Sequence, residues 1–191
     1  MARQLIDPEG ALRVGNLVLE PIVRAHAVAL FDALQAPELY TFIPHDPPKS
    51  LETLQARYER WAERQSPDGT EIWLNYAIFS QADDAYLGTV QATCMASGTY
   101  LAYDVFPLYW RRGVARDACS ALISHLFSAY TMDTVSALVD TRNEASWRLL
   151  EALGFKRNGT IKNADHFKGK PSDEYVYEIK RGEWNAPKKF L

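Results

Sequence analysis

The spacing of apolar positions changes several times along the chain, and each change predicts a different element. Apolar and polar residues alternate most clearly at 72–80, where Ile72 and Leu74 share one face, and a period of two is typical of a β-strand. A short apolar and β-branched run at 135–139 also favours a strand. The predicted strands are 16–21, 72–80, 86–95, 99–106, 135–139, 155–162 and 174–180.

Four other segments have apolar residues every three or four positions, the spacing of a helix with one buried face. Pro37 ends the first of them, Ser50 is a typical N-cap for the second, and Gly154 typically follows a helix C-terminus. The predicted helices are 24–35, one from Ser50 to the turn at 66–69, 112–128 and 143–153.

The order of these elements predicts how the sheet is built. Links between the strands from 72 to 106 are short, which favours antiparallel pairing. The helix at 112–128 instead separates two strands, which makes a βαβ unit with a parallel pair. We therefore predict one mixed α/β (α+β) domain over 1–191, with 1–13 and 184–191 as terminal extensions that lie on the surface or fray.

Composition narrows the class of protein. The 191 residues are 47% hydrophobic and 24% charged, as in an ordinary globular protein, and the net charge of −3 argues against a general nucleic-acid or membrane binder. Cys94 and Cys119 lie in apolar stretches and are predicted to be buried free thiols, which suits a reducing compartment. The histidines show no metal-binding spacing, so no metal is assigned. A cytoplasmic location is expected by default.

The segment LYWRRGVARDA, which joins a strand to a helix, stands out against this mildly acidic background. Gly113 lies between Arg111, Arg112 and Arg116, and a helix N-terminus offers free N–H groups that bind phosphate. A plain turn with solvated arginines is the alternative. A second segment runs from Asn143 through Ser146 to Gly154 and Phe155, where helix capping alone could explain Asn143 and Ser146.

Taken together, YWRRGVA and TRNEASWRLLEALGF resemble the acetyl-CoA-dependent GNAT N-acetyltransferase superfamily. The match is closer to its Rim-type branch, which acetylates protein N-termini and various small amines. Trp110 fits that branch, whereas Arg111 stands where the branch often has glycine. NLVLEPI near the start, LGT in the middle and DEYVYEIKRGEW near the end extend the resemblance over nearly the whole chain.

The resemblance implies a GNAT fold, with a twisted, mostly antiparallel sheet of about six to seven strands flanked by helices. It also implies that acetyl-CoA lies with its phosphates on the turn and its pantetheine arm in a gap beside strand 99–106. Backbone groups near Val105 would pair with the pantetheine amides and form an oxyanion hole. The implied cofactor-binding residues are Val105, Arg111, Arg112, Gly113, Val114, Ala115, Arg116 and Asn143.

For catalysis, the resemblance implies a different proton donor from that of many GNAT enzymes. Leu150 occupies the position where those enzymes have a tyrosine acid, and Ser146 is the serine that the Rim-type branch places near the thiolate. Asp165 matches the acidic residue that acts as base. Because an ordinary Asp titrates near ~3.9, Asp165 needs burial or a bridging water to act in this way, or it serves only to bind the acceptor ammonium.

Three further residues are predicted to contact substrate. Tyr40 lies in the loop where the family shapes its acceptor pocket, although it could equally cover the edge of the core. Tyr103 lies near the acyl group, and His166 could share the proton work of Asp165 or simply be a polar surface residue.

The expected activity is direct transfer of acetyl from acetyl-CoA to a primary amine of a protein N-terminus or small molecule, by a monomer or homodimer. Cys94 and Cys119 lack a neighbouring base, which argues against a covalent thiol intermediate. Three alternatives stay open: a larger donor such as succinyl-CoA, a CoA-binding sensor or scaffold without catalysis, and a phosphate-binding domain for another nucleotide.

Overall fold

One eight-stranded sheet organises the chain. The computed structural model describes residues 10–130 and 132–186. The strands are β1 Leu12–Val14, β2 Leu17–Pro21, β3 Glu71–Ser80, β4 Ala85–Met95, β5 Gly98–Val105, β6 Thr134–Asp140, β7 Lys156–Phe167 and β8 Lys170–Lys180. The helices are α1 His26–Leu30, α2 Leu51–Ala62, α3 Val114–Ala129 and α4 Glu144–Ala152. None of the described helices is long and apolar enough to cross a membrane.

The strand order is β1-β2-β3-β4-β5-β6-β8-β7, and every neighbouring pair is antiparallel except β5 and β6. The predicted βαβ unit and its parallel pair are therefore confirmed. Two helical layers cover the sheet. Helix α3 packs with α4 residues in the larger apolar cluster, and α1 and α2 pack in a separate cluster with Ala77 and Phe106.

The eighth strand comes from the region predicted to be a terminal extension. Leu12 pairs with Leu19 across a tight turn at Gly15 and Asn16, and the positive φ of 55° at Gly15 suits that turn. Residues 1–9 of the predicted extension, and 187–191 of the other, lie outside the described residues. Trp184, the first residue of the predicted C-terminal extension, packs against α3. Its indole N–H donates to the Ser124 hydroxyl at 3.1 Å, and its ring lies near Phe127.

Three predicted elements, one helix and two strands, differ most from the bounds predicted for them. The helix predicted at 24–35 is α-helical only at His26–Leu30 and continues as 3₁₀ turns at Ala33–Gln35 and Pro37–Tyr40. The last two strands are longer than predicted because Lys168 and Gly169, both at positive φ, make a two-residue hairpin turn. Asp165, expected in a loop, therefore lies within β7.

Strands β5 and β6 part soon after they meet. Their only register pair is Tyr100 with Ser136, whereas β5 stays paired with β4 along its whole length. The stretch from Leu101 to Val105 consequently has one backbone edge that none of the described strands covers. This open edge positions the functional site.

Candidate active site

The open edge of β5 presents backbone groups near Val105. Leu87 lies opposite Phe106, whose N–H donates to the Leu87 carbonyl at 2.8 Å. Because hydrogen-bonded and non-hydrogen-bonded pairs alternate in an antiparallel ladder, the next pair, Gly88 and Val105, points its backbone groups outward. The Val105 carbonyl accepts the Trp110 indole N–H at 2.5 Å. The Val105 N–H is thus the donor that faces the gap.

Beyond β5 the chain turns into α3 with its amides directed outward. Arg111 and Gly113 both have positive φ, 64° and 81°, and Gly113 is the N-cap residue without any side-chain cap. The first helical hydrogen bond is from the Asp117 N–H to the Gly113 carbonyl at 3.0 Å. Within the described part of the chain, the N–H groups of 111–116 have no acceptor. Such an arrangement binds anions.

The three arginines of the turn differ in their surroundings. Arg112 forms an ion pair with Asp83 at 2.8 Å and lies over the Tyr109 ring. Arg116 is 3.5 Å from Asp117, and Arg111 is exposed and pairs with none of the described carboxylates. Because exposed ion pairs contribute little stability, all three guanidinium groups remain available to a phosphate group, for which bidentate arginine bonds are strong.

One cavity of about 730 Å³ joins this turn to the gap beside β5. It is lined by every residue predicted to bind the cofactor, and also by Tyr103 and Ser146. A shallower cleft of about 520 Å³ lies on the β7–β8 hairpin and contains none of them.

Two hydroxyl groups meet in this cavity. Tyr103 Oη lies 2.7 Å from Ser146 Oγ and 3.3 Å from the Ser146 carbonyl. Asn143 caps α4 and accepts the Ser146 N–H at 3.2 Å, which fixes the serine backbone. Burial raises the pKa of Tyr103, so it stays protonated at neutral pH. The Tyr103–Ser146 pair can therefore hold and pass a proton. Leu150 is fully buried in the core and cannot contribute.

Three residues predicted from the sequence do not line the cavity. Asp165 lies opposite Ser172 in the β7–β8 hairpin, and its carboxylate accepts the N–H of its neighbour His166 at 2.6 Å. The His166 side chain is exposed. Tyr40 is almost buried, and its hydroxyl donates to the Leu34 carbonyl at 2.8 Å.

The cavity also contains residues that the sequence analysis did not single out. Asp104 lies in β5 between Tyr103 and Val105, and Glu38 and Leu39 come from the segment after α1. A single carboxylate in the otherwise apolar segment TYLAYDVF was the one sequence signal for Asp104. Glu38 carries no such signal, since charged residues are common in connecting segments.

Comparison with known proteins identifies the family. The domain described as Acetyltransferase (GNAT) matches residues 16–156. This chain belongs to the GNAT acetyltransferase family. It is 27% identical over 171 residues to YoaA of Bacillus subtilis (strain 168), described as an uncharacterized N-acetyltransferase, and the match covers 88% of this chain and 95% of YoaA.

Solved acetyltransferases share the fold. RimL, a ribosomal L7/L12 alpha-N-protein acetyltransferase solved with coenzyme A, superimposes with a TM-score of 0.79 at 18% identity, covering 90% of this chain and 98% of RimL. RimJ of Mycobacterium smegmatis, in complex with a CoA disulfide, gives a TM-score of 0.77 at 20% identity, with 91% and 87% covered. The fold class predicted from the sequence is confirmed; the sheet has eight strands.

As a GNAT acetyltransferase, the protein is an enzyme that uses acetyl-CoA. The residues of the cavity fit that donor. Free N–H groups and arginines at 111–116 suit the phosphates, and the outward Val105 N–H suits a carbonyl oxygen. The uncovered edge of β5 has room for an extended arm that makes backbone hydrogen bonds.

Proposed function

We propose that this acetyltransferase transfers the acetyl group directly to a primary amine, of a protein N-terminus or a small molecule, and that it belongs to the Rim-type branch. The observation that carries the proposal is the Tyr103–Ser146 hydroxyl pair at 2.7 Å, which lines the same cavity as the free N–H groups of α3. Likeness in fold to RimL and RimJ supports the branch.

Each part of the cavity has a separate task. When bound, acetyl-CoA supplies a thioester whose carbonyl carbon accepts the amine. The N–H groups of Gly113 to Arg116 and the three arginines bind the phosphates, while Asn143 and the edge of β5 orient the arm. The Val105 N–H donates to the thioester oxygen and stabilises negative charge there, as an oxyanion hole does.

Ser146 holds the proton that the leaving sulfur needs. Its Oγ is within hydrogen-bond distance of the buried Tyr103 hydroxyl, which can replace that proton after it has been given up. Because both groups are neutral hydroxyls, the pair adds no charge to a partly buried site. Cys94 and Cys119 are buried with raised thiol pKa values, about 11 for Cys94, which disfavours a thiolate nucleophile and supports direct transfer.

The acceptor enters from the face of the sheet that α1 and α2 cover, next to the turn of the β7–β8 hairpin, where Lys168 Nζ donates to the Ile43 carbonyl at 3.5 Å. Asp165 and His166 belong to that hairpin, and we assign them to binding the acceptor at the rim. Burial, followed by the charges of Asp165 and Asp140, raises the pKa of Glu174 nearby. The Asp165 and Glu174 carboxylates are close enough to influence each other, and two neighbouring carboxylates favour a cationic acceptor, as an ammonium group is.

A thiol-release assay with acetyl-CoA and a panel of amines and N-terminal peptides tests the proposal. At least one acceptor is expected to release CoA, and Ser146→Ala is expected to lower kcat about 100-fold, the lower range for a proton-transfer group. Acetyl-CoA affinity should change little, because the alanine variant keeps the backbone N–H that Asn143 caps.

Ser128→Ala is the matched control, because Ser128 is exposed at the end of α3 and donates only to the His125 carbonyl. Tight CoA binding without release on any acceptor would contradict transfer and support a CoA-binding sensor.

A further inference from the structure

Asp104 is a carboxyl group inside the active-site cavity that the donor-binding residues leave unused. It is one residue from Tyr103 and one from Val105, in the middle of the site. Within residues 10–130 and 132–186, no hydrogen bond or ion pair reaches its carboxyl group. A half-buried carboxyl that accepts no hydrogen bond is costly to the fold, and a cationic ligand in the cavity would supply the missing donor.

The strand places Asp104 opposite the hydroxyl pair. Side chains alternate along a strand, and both Tyr103 and Val105 pack in the α3 cluster. Asp104 therefore projects to the other face of the sheet, where Phe106 packs with α1 and α2. Burial and then the charge of Asp104 raise the pKa of Tyr40, which agrees with Asp104 facing the segment after α1.

The gap between β5 and β6 connects these two faces. A thioester held at the open edge of β5 has the Tyr103–Ser146 pair on one side and Asp104 on the other. An amine coming from the α1–α2 face meets Asp104 before it meets the carbonyl. Asp165, by contrast, does not line the cavity.

We infer that Asp104 is the proton acceptor for the amine substrate, an inference that rests on the proposed function. The substrate ammonium gives one proton to the Asp104 carboxylate, and the nitrogen lone pair then forms the bond to the acetyl carbonyl carbon. The carbon–sulfur bond breaks with its electrons on sulfur. The second proton lost by nitrogen reaches that sulfur by way of Ser146 Oγ, and Asp104 releases its own proton to solvent.

The surroundings of Asp104 suit it to this task. Burial raises the pKa of Asp104, with His45 acting in the opposite direction. A carboxylate with a raised pKa is a stronger base than an exposed one, and it attracts an ammonium group more strongly in a less polar site. The titratable groups on the elements around it are Tyr103, Glu38, Tyr40, His45, Arg57 and Tyr58.

Asp104→Asn and Asp104→Glu test the role in the thiol-release assay. Asp104→Asn is expected to lower kcat/KM about 100-fold and to shift the acidic limb of its pH profile, while Asp104→Glu restores part of the rate. The acetyl-CoA Kd should stay within about twofold, because Asp104 faces away from the donor. Asp84→Asn is the control, since Asp84 is an exposed carboxylate whose positive φ of 49° suits asparagine.

A second readout does not depend on turnover. In protein labelled with ¹³C-aspartate and saturated with CoA, the carboxyl resonance missing from Asp104→Asn belongs to Asp104. Adding n-propylamine at pH 7 should shift this resonance, whereas 1-propanol should not.

The rate measurement and the NMR titration distinguish the role of Asp104 from the proposed transfer activity. Normal kcat/KM in Asp104→Asn, or a resonance unmoved by n-propylamine, would overturn the inference. If CoA binds but no amine in the panel is acetylated, the proposed function fails by itself, and the n-propylamine titration decides whether Asp104 binds an ammonium group.

Discussion

A substitution at Gly113 tests whether the turn before α3 binds the phosphates of the donor. Gly113 has φ of 81° and ψ of 0°, and a Cβ built on it meets only the end of the Arg116 side chain, at 3.8 Å. Space is therefore available, and the penalty of Gly113→Val is conformational. A residue with a Cβ in the left-handed region costs about 1–2 kcal/mol, and a β-branched one is a genuine outlier there.

The chain can relieve this strain only by rotating the peptides that begin α3. Those peptides carry the N–H groups assigned to the phosphates. A hydrogen bond to a charged group contributes about 1.5–3 kcal/mol, so losing one raises the Kd for CoA about 10- to 150-fold. The core beneath, with Ala118 and Leu122 fully buried, is untouched, so the fold should survive.

Calorimetric titration with CoA measures this change directly. Gly113→Asn, which tolerates positive φ, should weaken binding less than Gly113→Val. Gly159→Ala is the matched control, because Gly159 has ordinary φ and nothing within 4 Å of its added Cβ. Unchanged CoA affinity in a folded Gly113→Val protein would refute the assignment of phosphates to this turn.

Two further predictions concern groups in the same cavity. Tyr103→Phe removes the hydroxyl 2.7 Å from Ser146 Oγ. We expect kcat, measured by thiol release, to fall about tenfold, and the Kd for CoA, measured by calorimetry, to change little. A normal kcat would show that Ser146 donates its proton without the Tyr103 hydroxyl. The pKa of Asp104 is raised on folding. Between its ordinary pKa of 3.8 and the raised pKa, the native state therefore binds more protons than the unfolded state. The free energy of unfolding consequently decreases as the pH rises through this range. Asp104→Asn should therefore melt no lower than the native protein at pH 7, and its relative advantage should disappear near ~pH 3, below both pKa values; thermal melts at both pH values measure this, and a lower Tm at pH 7 would indicate a structural role.

The contiguous part of the site was predictable from sequence. Gly113 and its three arginines lie within six positions at a strand–helix junction, so local backbone rules alone indicate an anion site. The sequence could not show that Arg112 is engaged by Asp83, because that carboxylate comes from the distant turn between β3 and β4. Whether Arg112 can bind a phosphate group therefore depends on the strength of its exposed ion pair with Asp83.

The hydroxyl pair depends on the fold instead. Tyr103 and Ser146 are 43 positions apart and meet only in the folded chain, in the cavity beside the uncovered edge of β5. Periodicity identified both strands, but it carries no information on where two paired strands separate. The long β7–β8 hairpin was underestimated because its turn, Lys168 and Gly169, is not one of the strong hairpin signals.

Asp104, the proton acceptor that we propose, could not have been chosen from the sequence alone. Alternation alone places its side chain opposite those of Tyr103 and Val105, yet an isolated carboxylate in a strand is equally typical of a solvated face. Only the cover provided by α1, α2 and the segment between them turns this face into the wall of a cavity.

Isotope transfer distinguishes direct acetyl transfer from a covalent enzyme intermediate. Protein, ¹³C-acetyl-labelled acetyl-CoA and the amine panel are incubated together, and intact-mass and tandem mass spectra locate the label. Direct transfer predicts labelled amide on an acceptor amine, none on the enzyme's cysteines, and a rate reduced about 100-fold in Ser146→Ala. Label retained on the enzyme, or CoA bound with no labelled amide formed, would contradict direct transfer.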